Sequence, residues 1–265
     1  MLKFTTLARG SSGNAAVLSC GQTHILLDAG ISARRITTGL KELGIDPAAL
    51  TAILITHDHV DHIGGLAVLT KKVKAPIYAT CPTCDTIAQK APCAREQLRP
   101  CQPGVLLDLG EVLVESFPTS PDAPGSVGYA LSGGGQRMAL CTDLGFVSKE
   151  VENAVRGCDL LVCEANHDED WVRAGPYPYY LIQRVLGDYG HLSNEDAGRF
   201  AAEMARHGTK EIVLAHLSRE NNTPAMALHA VQRMLEAHGL TAAVTVAPRS
   251  ELSRGYEVEV SPCRK

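Results

Sequence analysis

Ala52-Ile53-Leu54-Ile55-Thr56-His57-Asp58-His59-Val60-Asp61-His62 is the stretch from which the fold is most readily read. Its first four residues are continuously apolar, as in a strand covered on both faces. The apolar run stops at Thr56, and the next six positions carry His57, His59, His62 and the carboxylate of Asp61. In an extended loop, side chains two apart point the same way, so His57 and His59 can grip one cation. Asp61 and His62 then open a helix whose first turn faces a second cation, and Gly64-Gly65 allows that helix to pack closely beside the site. A solvated loop with surface histidines is the alternative, but scattered histidines do not carry this spacing of ligand types.

Outward from this motif, the first third reads as closely spaced strands, Lys3–Leu7, Ala15–Ser19 and His24–Leu27, with turns at Gly10-Ser11-Ser12-Gly13-Asn14 and Gly21-Gln22. Such spacing predicts an antiparallel sheet. Ser32 is placed to cap a helix running to Leu43, with Gly44 at its stop. One helix is predicted over residues 61–74, followed by a strand at Pro76–Ala79. Further strands are predicted at Val105–Leu109, Val112–Phe117, Gly128–Ser132 and Arg137–Cys141, a second sheet. Beyond residue 147, helices starting at Ser193 and Thr223-Pro224 alternate with strands Leu160–Cys163 and Glu211–Leu214. Two sheets with helices outside are expected. No repeat or linker divides the chain, so one domain over residues 1–265 is expected.

Apolar residues make up 45% of the 265-residue chain and charged residues 20%, ordinary for a soluble globular protein. The net charge of −4 provides no overall attraction to nucleic acid, so contact with it must rest on local patches or bound cations. Met1–Thr6 lacks the charged and apolar regions of a signal peptide, and no apolar run has the length of a bilayer span. A cytoplasmic protein without membrane contact is the expectation. The nine cysteines are an odd number, and several lie in apolar runs such as Leu160-Leu161-Val162-Cys163, as reduced buried thiols do. Cys81-Pro82-Thr83-Cys84 with Cys93 and Cys101 has the look of a zinc knuckle, but the second pair lacks close spacing, which favours a helix start with incidental cysteines. The glycine-serine turn at residues 10–14 lacks the Lys-Ser/Thr and following helix of a triphosphate-binding loop.

The His-x-His-x-Asp-His motif after an apolar strand resembles the metallo-β-lactamase superfamily. Leu27-Asp28-Ala29-Gly30, Thr142-Asp143-Leu144-Gly145 and Ala215-His216-Leu217-Ser218 are similar to its other motifs and occur in the same order. Ala8-Arg9-Gly10-Ser11-Ser12-Gly13-Asn14, Glu164-Ala165-Asn166-His167-Asp168, Gly190-His191-Leu192-Ser193-Asn194 and Leu217-Ser218-Arg219-Glu220-Asn221-Asn222 resemble the YycJ/WalJ branch. The likeness implies an α/β fold of αββα sandwich type, two mixed β-sheets flanked by helices. It implies two divalent metal ions, zinc or manganese first and iron or nickel next. His57 and His59 would hold one, Asp61, His62 and His216 the other, and Asp143 would bridge them. Asp28 would organise the metal loop through hydrogen bonds, with Ser11, Asn14, His167, Ser193 and Asn194 in supporting or substrate-binding places. Asp61, His191 and Glu164 would form the catalytic group, His191 beside the leaving oxygen and Glu164 as its partner. Alternatively, His191 merely precedes a helix cap at Ser193.

One departure stands out. Pro118-Thr119-Ser120-Pro121-Asp122 has Pro121 where the superfamily usually has another histidine, and Asp122 offers an oxygen that would shift preference toward manganese. The activity implied is that of a metal-dependent phosphodiesterase or nuclease, 5′→3′ exonuclease action on DNA through metal-activated water, with RNA the other candidate substrate and no obligate protein partner. Two divalent ions offset by Asp61, Asp143 and a hydroxide leave about one positive charge, which suits a phosphodiester. The other functions considered are a small-molecule ester or thioester hydrolase, and a binding module weakened by Pro121.

Overall fold

The structure is a computed structural model describing residues 1–10, 13–119, 123–249 and 251–257. In chain order, the first half carries β1 (Lys3–Ala8), β2 (Ala15–Cys20), β3 (Thr23–Leu27), α1 (Ala33–Glu42), β4 (Ala52–Leu54), α2 (Val60–Ile63), α3 (Leu66–Leu69), β5 (Ile77–Ala79), α4 (Cys81–Lys90) and β6 (Leu98–Pro100). The second half carries β7 (Leu106–Asp108), β8 (Leu113–Pro118), β9 (Val127–Gly133), β10 (Gln136–Cys141), α5 (Lys149–Val155), β11 (Leu160–Glu164), α6 (Glu169–Ala174) and α7 (Tyr179–Leu186). It continues with α8 (Asn194–Arg206), β12 (Glu211–Ala215), α9 (Pro224–Ala237), β13 (Ala243–Val246) and β14 (Tyr256–Glu257). The strands form two sheets in the orders β14-β1-β2-β3-β4-β5-β6 and β13-β12-β11-β10-β9-β8-β7.

The period-two alternation of the strands builds the layers. On β10, Met138 and Leu140 join Phe4, Leu18, Ile25 and Leu27 of the other sheet in one apolar cluster. Their neighbours Ala139 and Cys141 face outward to Phe200, Ala201 and Val231 on α8 and α9. In the first sheet, Leu26 and Ile53 face outward against Ile36 and Leu40 of α1. Apolar side chains on both faces of central strands require cover on both sides, and the result is the expected αββα sandwich with two mixed sheets. No helix among the described residues is long and apolar enough to cross a membrane.

β3 pairs parallel with β4, and β10, β11 and β12 run parallel to one another. Parallel strands put their carboxyl ends on one edge, where open α/β sheets place ligands. Asp28 directly follows β3, His57 lies three residues beyond β4, Asp143 two residues beyond β10, Glu164 ends β11, and His216 directly follows β12.

The predicted helix over residues 61–74 is instead two single turns, α2 and α3, interrupted at Gly64-Gly65. The cause is close packing: a Cβ on Gly65 would lie 2.1 Å from the Ile31 carbonyl oxygen. β6, β13 and β14 were not anticipated. All are sheet edges: β6 and β13 consist of exposed or half-buried residues, and β14 is only two residues long. Ser32 caps α1 by accepting from Arg35 N–H, as its position predicted.

Ser193 caps α8, its hydroxyl accepting from Asp196 N–H at 3.1 Å and donating to the Asp196 carboxylate at 2.8 Å. Ser193→Ala is expected to lower unfolding free energy by about 1 kcal/mol in urea melts. An unchanged midpoint would remove the cap from the account.

Candidate metal centre

Thr56, between the apolar strand and the histidines, is the hub of the first half of the site. Its N–H and hydroxyl donate to Asp28 Oδ1 at 2.9 and 3.0 Å, and its hydroxyl lies 3.0 Å from His57 Nδ1. Asp28 Oδ2 accepts from His62 Nδ1 at 2.8 Å. Both imidazoles are therefore held through Nδ1, leaving Nε2 of each to face the centre. The second half repeats the device around Glu164, whose carboxylate is wholly buried. Glu164 Oε2 accepts from His191 Nδ1 at 3.1 Å and His216 Nδ1 at 3.3 Å, while Oε1 accepts from the backbone N–H groups of Leu192 and Leu144.

Among the described residues three that are not glycine have left-handed backbone, Asp28 (φ 58°), Asp143 (φ 62°) and His216 (φ 54°); Asp28 and His216 immediately follow strands at this edge and Asp143 is one residue further on. That conformation is disfavoured for residues with a side chain and is retained where surrounding structure enforces it, commonly at functional sites. Asn166 Nδ2 donates to the His216 carbonyl at 2.8 Å and fixes one of these turns. Gly30 is required for another reason: a Cβ there would lie 1.5 Å from the Asp61 carbonyl oxygen. The same segment is tied by Asn14, whose N–H donates to that carbonyl at 2.7 Å and whose side-chain amide reaches Asp61 Oδ2 at 3.2 Å and His62 Nε2 at 3.0 Å.

Within this frame three groups of ligand atoms each lie within 4.8 Å of one another: His57, His62 and Asp143; Asp61, His62 and His216; Asp143, His191 and His216. His62 Nε2 is 3.6 Å from Asp61 Oδ2 and 3.5 Å from Asp143 Oδ2, and His216 Nε2 is 3.6 Å from Asp61 Oδ2 and 3.5 Å from Asp143 Oδ1. Two ligands about 2.1 Å from a tetrahedral ion are about 3.4 Å apart, so these separations suit shared coordination better than direct hydrogen bonds. His57 Nε2, His216 Nε2 and Asp143 Oδ2 are buried, and none has a hydrogen-bond partner among the described residues. Orphaned polar atoms are costly inside a protein, and here they converge, which is the fit a cation requires.

The electrostatics agree. Burial and the neighbouring His62 push the His57 imidazole down to about 4. Burial also opposes charge on His62 and His216, but Asp28 and Asp143 outweigh it at His62, and Asp143, Asp61 and Glu164 do so at His216, which titrates well above its ordinary value. Burial works against Asp143, yet His216, His62 and His57 hold its carboxyl well below the usual range. The carboxylates here favour positive charge on His62 and His216, the same sign they would favour in a bound cation.

Other expected residues lie differently. The His59 ring is 4.6 Å from that of His57, but His59 is in none of the convergent groups. His167 is buried, with Nδ1 lacking a partner among the described residues, and also lies outside them. Asn194 exchanges amide hydrogen bonds with Asn222 at 3.0 and 2.8 Å, bracing the loop behind the site. Ser11, Pro121 and Asp122 fall outside the described residues. No cysteine joins a convergent group among the described residues; Cys81 begins α4, as the helix reading had it. Thr56, Asn166 and Arg9 were not anticipated. Arg9 is wholly buried, its guanidinium 5.9 Å from the Phe4 ring and without a hydrogen-bond partner among the described residues; burial disfavours its charge, which Asp28 and Asp143 favour.

The chain belongs to the beta-lactamase superfamily: residues 23–217 match the model of the beta-lactamase superfamily domain. Within it, the chain is 36% identical over 239 residues to exodeoxyribonuclease YycJ of Bacillus anthracis, covering 90% of each chain. It is 38% identical over 228 residues to exodeoxyribonuclease WalJ of Streptococcus pneumoniae serotype 2, covering 85% of each. Among solved structures, the metallo-beta-lactamase fold protein YhfI of Bacillus subtilis superposes with a TM-score of 0.70 at 17% identity, over 96% of this chain and 100% of that one.

Proposed function

We propose that the chain is a metal-dependent phosphodiesterase that removes nucleotides from DNA ends as a 5′→3′ exonuclease. The observation that carries this reading is the convergence of the buried, unpartnered His57 Nε2, His216 Nε2 and Asp143 Oδ2 beside the His191–Glu164 pair. The two relatives named exodeoxyribonucleases support DNA as the substrate. Cytoplasmic action is proposed with it, supported by eight described cysteines that are all unpaired.

Asp61, His62 and His216 would hold one divalent ion; His57 and Asp143 would hold a second, with His59 and Asp122 as further donors. Manganese is favoured where oxygen replaces imidazole, with zinc next and iron or nickel after it. When bound, the ions supply a water acidic enough to act as nucleophile near neutral pH and positive charge for the phosphate. His191 is the mobile proton source. Its side chain is 31% exposed, and although burial disfavours its charge, Glu164 raises its affinity for a proton. It is therefore placed to donate to the departing oxygen. Glu164 touches no solvent and acts by orienting His191 and His216 together, so its role is positional.

Manganese-loaded protein is expected to release mononucleotides from end-labelled DNA, and EDTA to stop the release. Thioester hydrolysis without DNA cleavage would overturn the reading. Metal binding is also expected to strengthen as pH rises. His62 and His216 carry raised proton affinities, so below those values each must lose a proton before Nε2 can coordinate. Calorimetry in buffers of differing ionisation enthalpy should record proton release near pH 7; metal affinity independent of pH from 6 to 8 would contradict this electrostatic picture.

A further inference from the structure

Six of the 25 lysines and arginines fall between residues 71 and 99, namely Lys71, Lys72, Lys74, Lys90, Arg95 and Arg99. Only two acidic residues accompany them there, Asp85 and Glu96, in a chain whose net charge is −4. All six cations are exposed. None forms an ion pair among the described residues, and the side-chain bonds that Lys74, Lys90, Arg95 and Arg99 do form run to backbone carbonyls. On α6, α8 and α9 the reverse holds, where Arg173, Arg199, Arg206 and Arg233 each pair with a glutamate or aspartate.

The six cations belong to one layer that begins at the metal motif. Leu66 and Leu69 of α3, Ile87 of α4, and Val73, Ala91 and Ala94 enter a single apolar cluster with the outward residues of the first sheet, so the exposed side chains of these segments point away from it. Hydrogen bonds then join the segments in order. Lys90 Nζ donates at 3.1 Å to the carbonyl of Asp58, the residue between His57 and His59. Arg95 Nε donates at 3.2 Å to the carbonyl of Ala88 on the same helix. Cys93 Sγ lies 3.2 Å from the Ala67 carbonyl, and Gln97 Nε2 donates at 3.0 Å to the Thr70 carbonyl. Lys74 Nζ shares that Thr70 carbonyl at 3.3 Å, and Lys71 and Lys72 follow Thr70 directly. The row therefore starts beside the metal ligands and leads away from them.

Resting on the phosphodiesterase reading above, we infer that this row is the track for the backbone of duplex DNA on the intact side of the cut bond, with phosphates lying along Lys90, Arg95, Lys71 and Lys72. Exposed cations without carboxylate partners suit a polyanion, whose condensed counterions are released as they bind. Contacts to phosphate position a duplex without reading its sequence, as degradation from any end requires. A released mononucleotide is too short to reach past the centre, so the track serves the DNA that remains. The second sheet offers no such path at its helices: the cleft of about 440 Å³ beside Phe146 is lined by Glu152, Asp188, Asp196 and Glu203 with Arg199 alone to oppose them.

The test uses the manganese-loaded full chain, a 5′-phosphorylated blunt duplex of about 30 base pairs and the dinucleotide pdTpdT, each assayed between about 50 and 200 mM salt. For the wild type, KM for the duplex should rise about 100-fold across that range, the rise expected of about four phosphate contacts, and KM for pdTpdT far less. Lys71→Gln/Lys72→Gln/Arg95→Gln should raise the duplex KM about tenfold at the lowest salt and reduce its rise with salt to about fivefold. Lys71→Arg/Lys72→Arg/Arg95→Lys, which keeps the charges, should restore both. These side chains lie at the surface, and circular dichroism melts of both variants should match the wild type. A glutamine variant with wild-type duplex KM and salt dependence, or a wild type that cleaves only the dinucleotide, would overturn the track and leave the phosphodiesterase reading standing. A glutamine variant that loses binding to phosphatidylserine-containing vesicles, with duplex kinetics unchanged, would assign the surface to a lipid headgroup and overturn the track too. A wild type that cleaves neither substrate overturns both.

Discussion

Asp143→Asn is expected to lose about 10³-fold or more of the metal-dependent phosphodiesterase rate while remaining folded. Asparagine keeps the shape of the side chain and, like aspartate, tolerates the left-handed backbone that Asp143 adopts at φ 62°. What changes is charge. The Asp143 carboxylate lies within 3.5 Å of both His62 Nε2 and His216 Nε2, and it shares convergent groups with His57 and His191. A neutral amide in its place removes the group that would bridge two ions and should reduce bound manganese from about two per chain to one or none. Metal analysis and kinetics on the same preparation check both effects. A variant retaining full metal content and more than a tenth of the activity would show that Asp143 is not the bridge.

Asp28→Asn should produce the next largest effect, through a residue with no place in the convergent groups. Asp28 is wholly buried and accepts from Thr56 N–H, the Thr56 hydroxyl and His62 Nδ1. The asparagine amide would turn an N–H group toward some of these donors. Breaking one partner of a buried hydrogen-bonded pair costs about 3 kcal/mol, and loss of an orienting carboxylate weakens metal binding about 10- to 100-fold. Urea melts and manganese titrations should record both changes. Unaltered metal affinity would mean that His62 is aimed by its backbone alone.

The residues of the centre were legible where chemistry and position coincided in a short stretch. His57 through His62 follow a buried apolar strand, and Asp143 and His216 each follow another, so their delivery to one edge could be anticipated from strand ends alone. Their grouping could not. Sequence spacing paired His57 with His59, but in the folded chain His62 Nε2 shares a group with His57 because Thr56 and Asp28 rotate both rings inward. The left-handed turns at Asp28, Asp143 and His216 leave no mark in composition, since they are imposed by contacts such as that of Asn166 with the His216 carbonyl. Glu164 was legible as the partner of His191, while its second bond to His216 depends on the registry of β11 against β12, where Glu164 sits opposite Ala215. The helix broken at Gly64-Gly65 misled for a related reason: local periodicity cannot report the approach of the Ile31 carbonyl from another segment.

The most direct measurement is anomalous diffraction, at the manganese edge, from crystals grown in excess manganese. Two peaks are predicted in the space enclosed by His57, His62, His216, Asp61 and Asp143, one of them within bonding distance of Nε2 of both His62 and His216. A featureless anomalous map there, with the side chains still turned inward, would contradict the account.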